Sequence, residues 1–234
     1  MRKGKVNTTK LEIIQVASRM FSQNGYTQTS ARAICAELGI GLGHMNFYFP
    51  SKEDLLAVLV DMLCGFQWKL MQEETKDGHS PLLALCFELT SMASAAEESE
   101  IARDFFVSSY ISEKTLELIR KNDVERAKKV FAEYCTDWTH EQFVEAEVLV
   151  SGIEYATLRP TASSTPLDVR IKGALNAIMM IYNVPEEVRQ KNIDCMLALD
   201  YRKMGRRIFG EFKEYIEQTT EQAFEEAQIK KEKN

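Results

Sequence analysis

The run Gly41-Leu42-Gly43-His44-Met45-Asn46-Phe47-Tyr48-Phe49-Pro50-Ser51-Lys52 gathers an imidazole, a carboxamide, a phenol, an ammonium and two phenyl rings within twelve positions. These groups suit hydrogen bonding to base edges and phosphates and apolar contact with bases. Advancing about 100° per residue from Leu42 places Leu42, Met45 and Phe49 in one sector, the core side of a short helix. Gly43, His44 and Phe47 fall opposite, with Asn46 and Tyr48 on the flanks. Each glycine costs a helix about 1 kcal/mol, yet removes bulk where backbone N–H groups could approach an anionic backbone closely. A helix built only to pack would not turn Phe47 to solvent.

Such a helix needs a frame, and the preceding residues supply one. TTKLEIIQVASRMFSQNG opens with Thr9 and Glu12 in capping-box spacing, carries an apolar stripe of Ile13, Val16, Ala17, Met20 and Phe21, and closes at Gly25. TSARAICAELG begins at a capping Thr29 or Ser30, buries Ala33, Ile34 and Leu38, and stops at Gly39. After the turn and the opening run, PSKEDLLAVLVDMLCGFQWKLMQEE starts a long fourth helix with Ser51 and Asp54 as its cap pair. Three short helices, the last two joined by a tight glycine turn, make a helix-turn-helix whose last helix enters the major groove of DNA.

Charge supports this reading. Up to residue 52 the basic residues are Arg2, Lys3, Lys5, Lys10, Arg19, Arg32 and Lys52, against only Glu12 and Glu37, although the whole chain carries a net charge of −6. The basic end attracts a polyanion and the remainder does not. No run of about 18 apolar residues and no signal-type stretch occurs, so a cytoplasmic location is expected. Cys35, Cys64, Cys86, Cys135 and Cys195 show no C-x-x-C pairing and are expected to be buried free thiols. With only His44, His79 and His140, and neither H-E-x-x-H nor E-x-x-H, no metal site, cofactor or enzyme activity is expected.

The run IIQVASRMFSQNGYTQTSARAICAELGI through HMNFYFPSKEDLL resembles the DNA-binding domain of the TetR family of bacterial transcriptional regulators over about the first 60 residues. The aromatic FYFPSKEDLL is its strongest signature. The resemblance implies that Thr29, Ser30 and Arg32 approach DNA from the second helix. It also implies that Gly43, His44, Asn46 and Phe47 line the recognition helix, and that Tyr48 and Lys52 hold phosphates. The chain departs from the common pattern at Gly41, Asn46 and Phe47. Asn46 can pair with adenine and Phe47 can meet a thymine methyl, which favours an A·T-containing half-site.

Beyond residue 78 helical spacing continues through six more segments, ending in EEVRQKNIDCMLALDYRKMGRRIFGEFKEYIEQ and a charged tail after Ala223 expected to fray. The only linker-like stretch is RPTASSTP at 159–166. The expected class is all-α: an N-terminal three-helix helix-turn-helix domain over residues 1–50, then a larger helical-bundle domain over 51–234 for ligand binding and dimerisation. Apolar residues encircle the helix at 141–158. One face then packs at home and the other on a second subunit beside the helix at 167–182, with Val148 and Ile178 at the contact; a central helix of a monomeric bundle is the other reading. Met62, Phe66, Phe87, Phe106 and Tyr110 are core by pattern and pocket-lining by resemblance. Glu147 and Glu154 share a helix sector and could select a cationic ligand, or lie on a solvated rim or an intersubunit salt bridge. The expected function is a homodimeric, ligand-responsive regulator, a repressor released from a palindromic double-stranded DNA operator by a small, partly apolar inducer. The alternative is a helical small-molecule-binding or interaction protein without operator-specific binding.

Overall fold

A computed structural model describes residues 8–232, with side-chain detail except at residue 75 and residues 226–232. Arg2, Lys3 and Lys5 of the basic end lie outside the described residues. Eleven helices and no strand form among the described residues. The reading head comprises α1 (Thr8–Asn24), α2 (Ala31–Leu38) and α3 (Leu42–Tyr48). The helices α4 (Lys52–Lys76), α5 (Pro81–Glu98), α6 (Glu100–Ile111) and α7 (Glu113–Val130) follow. The chain ends with α8 (His140–Leu158), α9 (Leu167–Ile181), α10 (Glu186–Ala198) and α11 (Tyr201–Glu232). No helix is long and apolar enough to cross a membrane among the described residues.

The caps follow from local chemistry. Ser51 and Asp54 hold the start of α4 reciprocally: the Ser51 amide donates to Asp54 at 2.8 Å and the Asp54 amide to Ser51 Oγ at 3.3 Å. Ser80 and Ser99 accept amides three residues on and open α5 and α6. RPTASSTP is the connection between α8 and α9. The structure differs from expectation in four places. α1 begins at Thr8, so Thr9 sits inside the first turn and does not cap it. The long C-terminal run breaks into α10 and α11 at Leu199 and Asp200, where the Asp200 side chain accepts the Lys203 amide and restarts the helix. The backbone of the charged tail is helical to Glu232. Cys195 is exposed, whereas the other four cysteines are buried and free.

α5 is the axis of the larger part, buried from Leu82 almost without interruption to Ala96. α11 lies along it so closely that a Cβ at Gly205 would stand 2.8 Å from the Ser91 carbonyl and 2.9 Å from the Ala95 amide. The buried side chains form one cluster running from Ile13 in α1 to Ile216 in α11. Packing therefore crosses the expected boundary between residues 50 and 51, which falls at the cap of α4.

Backbone atoms cannot swing aside as a flexible side chain can. Gly205→Ala should therefore destabilise by about 1–3 kcal/mol through overpacking. Gly210→Ala on the same helix, where a Cβ meets nothing within 4 Å, should gain up to about 1 kcal/mol from helix propensity. Urea unfolding of the two variants checks the contrast.

Candidate functional site

The helix-turn-helix is held by its turns. Ser30 Oγ accepts the Ala33 amide at 3.1 Å and opens α2. Gly39, at φ 65°, closes it, its own amide and that of Ile40 returning to the Ala36 and Cys35 carbonyls. An L side chain in that left-handed conformation would cost about 1–2 kcal/mol. Gly41 starts α3 without a side-chain cap, its carbonyl taking the His44 and Met45 amides. Met45 is fully buried, with its sulfur 3.4 Å from Cys35 Sγ, and pins α3 onto α2.

That anchor turns Gly43, His44, Asn46 and Phe47 outward, with Phe47 78% exposed. The Phe47 and Tyr48 rings meet edge to face at 5.0 Å, and His44 lies 5.7 Å from Tyr48, so one aromatic ridge stands on the open face. Ser30 and Arg32 are exposed at the start of α2. Leu42, expected in the core, is 38% exposed because the turn at Gly41 holds the first residue of α3 at the edge.

Two expected contact residues face inward. Thr29 is 2% exposed and its Oγ1 donates to the Gly25 carbonyl at 2.8 Å. Lys52 Nζ donates to the Tyr26 and Thr29 carbonyls at 3.0 and 3.1 Å and sits 4.0 Å from the Tyr26 ring centre. A cation with two carbonyls and a ring face already around it is a strut between α4 and the α1–α2 loop. Both residues fix the shape of the reading head, with Thr29 buried and Lys52 partly exposed.

A second site lies inside the larger part. Between α5, α7, α8 and α9 a cavity of about 30 Å³ is lined by Glu88, Asp123, Arg126, Glu147, Glu154 and Tyr182 among aliphatic side chains. Arg126 makes a two-point ion pair with Glu88 and lies 3.3 Å from Asp123. Tyr182 donates to Glu147, and Tyr110 to Glu154 at 2.8 Å. Burial pushes Glu147 up to about 8, with the nearby Asp123 adding to the shift. Glu154 rises well above the carboxylate range, chiefly through burial and then through Asp123 and Glu147, and burial brings Asp123 to about 6. The cavity thus brings Glu147 and Glu154 together, with Tyr110 behind them. Phe66 and Phe106 instead line a separate void of about 20 Å³ against α11. Met62 and Phe87 line neither space and pack in the hydrophobic core.

The family model described as "Bacterial regulatory proteins, tetR family" matches residues 13–59, covering α1 to α3 and the first part of α4. Over these residues the chain is similar to the TetR family. Among curated relatives, the HTH-type transcriptional regulator YuxN of Bacillus subtilis is 32% identical over 105 residues, 44% of this chain and 34% of the relative. The fatty acid metabolism regulator protein of the same organism is 31% identical over 67 residues, 29% of this chain and 34% of the relative. The chain therefore spans about a third of the length of these relatives. A solved gamma-butyrolactone receptor, an ArpA-like protein, covers 89% of this chain and 100% of its own at 18% identity and a TM-score of 0.45. The all-α assignment here rests on the helices themselves.

Outside residues 13–59, sequence patterns missed Glu88, Asp123, Arg126 and Tyr182. Glu88 carried a usable signal as the one charge inside the apolar run PLLALCFELTSMASAA. Arg126 carried none, because α7 is charged throughout.

Glu147 has a direct thermodynamic consequence. It stays protonated in the folded chain up to about pH 8, but ionises near 4.3 when unfolded. Between those values the folded state binds the extra proton, so this group's contribution falls as pH rises from about 4.5 to 8. Glu147→Gln should be close to neutral at pH 5 and increasingly stabilising relative to the parent chain towards pH 8, as read by urea unfolding at both pH values.

Proposed function

We propose that the chain is a dimeric transcriptional regulator that binds an inverted-repeat operator through α3 and releases it when a small molecule enters the α5–α7–α8–α9 cavity. The observation that carries the reading is the outward face of Gly43, His44, Asn46 and Phe47 on a helix pinned by buried Met45, inside a domain that matches the TetR family. Asn46 supplies the directional base contact, and Phe47 an apolar contact suited to a thymine methyl. Ser30 and Arg32 flank them from α2. Tyr48 stands at the edge of the same ridge as a phosphate contact.

Dimerisation is supported by apolar side chains left outside on α8 and α9. Leu149 is 54% exposed, Val144 and Val148 stand beside it, and Val169 and Met180 are exposed on α9. Ile178, expected at the same surface, is instead 4% exposed within its own core. A charge at Ile178 would unfold the chain, and Leu149 is the better probe of the interface.

A path between cavity and reading head lies on α6. Asp104 accepts the Thr27 amide at 2.7 Å and the Thr27 hydroxyl, while Tyr110 on the same helix donates to Glu154 at the cavity. Lys114 at the start of α7 pairs with Asp54 at the start of α4. A molecule that favours a different seat for Tyr110 therefore displaces the helix that clamps the α1–α2 loop. Coupling of about 1–3 kcal/mol would lower operator affinity 5- to 150-fold at saturation.

Selection from random duplexes should recover an inverted repeat whose binding weakens steeply with salt. Asn46→Ala should change the preferred bases at a cost of about 1–3 kcal/mol for the parent site. Binding no tighter to selected than to random DNA would favour a helical ligand-binding protein without an operator. Leu149→Glu should turn a dimer into a monomer by sedimentation velocity, and a parent chain already monomeric at micromolar concentration would sink the dimeric reading.

A further inference from the structure

We propose that the α5–α7–α8–α9 cavity takes a protonated amine, seated between Glu147 and Glu154, with the rest of the molecule against the aliphatic wall. This rests on reading that cavity as the effector pocket, and it adds the charge class of the effector. The geometry carries the choice. Four carboxyl groups line the cavity, and Arg126 among them is committed to Glu88 and Asp123. Glu147 and Glu154 accept hydrogen bonds from phenols, Tyr182 and Tyr110 respectively. Glu147 is buried and Glu154 partly so, and a carboxylate withdrawn from water needs a cation or a proton. Arg120 and Arg126 act on Glu147 from a distance, but Arg120 donates its hydrogen bond to Ser151 and Arg126 donates to Glu88 and Asp123.

A second observation is independent of the acidic groups. Arg126 is 3% exposed, yet its Nε finds no hydrogen-bond partner. That donor is an opening for an oxygen acceptor on the incoming molecule, and a buried unmet donor costs about 1–3 kcal/mol until one arrives. The cavity of about 30 Å³ holds a group of water size, which an ammonium matches. The apolar remainder needs side chains to yield, and unbranched Met179 on the wall is the most adaptable. No group of His, Cys, Asp and Glu among the described residues is placed to hold a metal ion, so an organic cation is the better match.

Protons then answer to the ligand. The groups facing Glu147 and Glu154 are Cys86 and Glu88 on α5, Tyr110 on α6, Arg120, Asp123 and Arg126 on α7, and Tyr182 after α9. Burial holds Cys86 near 12 and both tyrosines above their ordinary range, so these three are neutral throughout the working range. An ammonium beside Glu147 lowers its pKa from about 8, so binding below that pH releases a proton. Affinity should rise with pH by up to about tenfold per unit and level off near pH 8.

The test uses the full chain and three molecules of one skeleton: phenethylammonium, neutral 2-phenylethanol and anionic phenylacetate. Calorimetric titration at pH 6, 7 and 8 in two buffers of different ionisation enthalpy should show the cation binding at least about tenfold tighter than the alcohol at pH 8. It should also show about one proton released per cation bound at pH 7. In the double variant Glu147→Gln, Glu154→Gln the preference for the amine over the alcohol should disappear, with folding checked by circular dichroism. An alcohol that binds as tightly as the amine in the parent chain overturns the proposal, as does amine binding that ignores pH. Both readings stand even if the double variant fails to fold. Operator selection on the same preparation separates the two proposals. Selective DNA binding without amine preference removes the cation alone, whereas amine preference without selective DNA binding leaves the cation site and removes the regulator.

Discussion

Arg126 is the charge on which the interior of the larger part depends. It is almost wholly buried, and it is tolerable there because Glu88 meets it at two points and Asp123 at a third. Such a pair contributes little to net stability compared with apolar residues of the same volume, yet removing one partner strands the other at a cost of about 3–5 kcal/mol. The arrangement is thus better understood as specification than as glue. It fixes α7 against α5 in one register, and Glu88 reaches both interior cavities from that position. Gln67 on α4 adds a hydrogen bond to Glu88 at 2.7 Å, which draws the long helix below the reading head into the same network.

Polar contacts join the reading head to this interior alongside the continuous apolar packing. Asp104 on α6 receives both the amide and the hydroxyl of Thr27, and Lys52 bridges the carbonyls of Tyr26 and Thr29. Gly25 leaves the room that Asp104 needs: a Cβ there would stand 2.8 Å from the carboxylate, and its φ of 86° already disfavours a side chain. Hydrogen bonds of this kind have a directional optimum, so a modest rotation of α6 weakens them in a way that a greasy contact would not.

The fold was legible to the extent that its causes are local. Ser30, Gly39, Ser51 with Asp54, and the Met45 side of α3 each follow from capping, turn or periodicity rules, and each is where the sequence puts it. The internal contacts of Lys52 could not be read from a sequence position that shows only a cation beside a helix start; the carbonyls and ring that meet it come from residues 23 and 26 positions away. Thr29 was misread for the same reason, since a threonine before a helix can cap outward or bond inward and only the path of the loop decides. The interior site was half legible. Glu147 and Glu154 are seven apart on one helix and so share a face, but their neighbours come from four other segments of the chain. Periodicity within one helix cannot reveal which charges on another helix will be buried against it. The break between α10 and α11 was missed because LALD carries no proline or glycine; it is the Asp200 side chain, accepting the Lys203 amide, that makes it a new start.

Charge and shape make different demands on a switch, and the size of the cavity decides between them. About 30 Å³ is room for one small group, so an occupant of the present space buries little apolar surface. At roughly 25 cal/mol per Å², that burial supplies only a small share of a coupling energy of 1–3 kcal/mol. A change in protonation at Glu147 or Glu154 is different, because each pKa unit is worth about 1.36 kcal/mol and both groups are displaced far from their solution values. The hydrogen bond from Tyr110 to Glu154 lies between that charge change and Asp104 on the same helix. In the proposed switch, a carboxyl that becomes a carboxylate accepts the phenol's hydrogen bond more strongly and would pull on α6, whereas a neutral filler would leave that bond as it was. In that proposed switch, electrostatics is therefore the larger lever in a cavity this tight, and α6 is the element on which it would act.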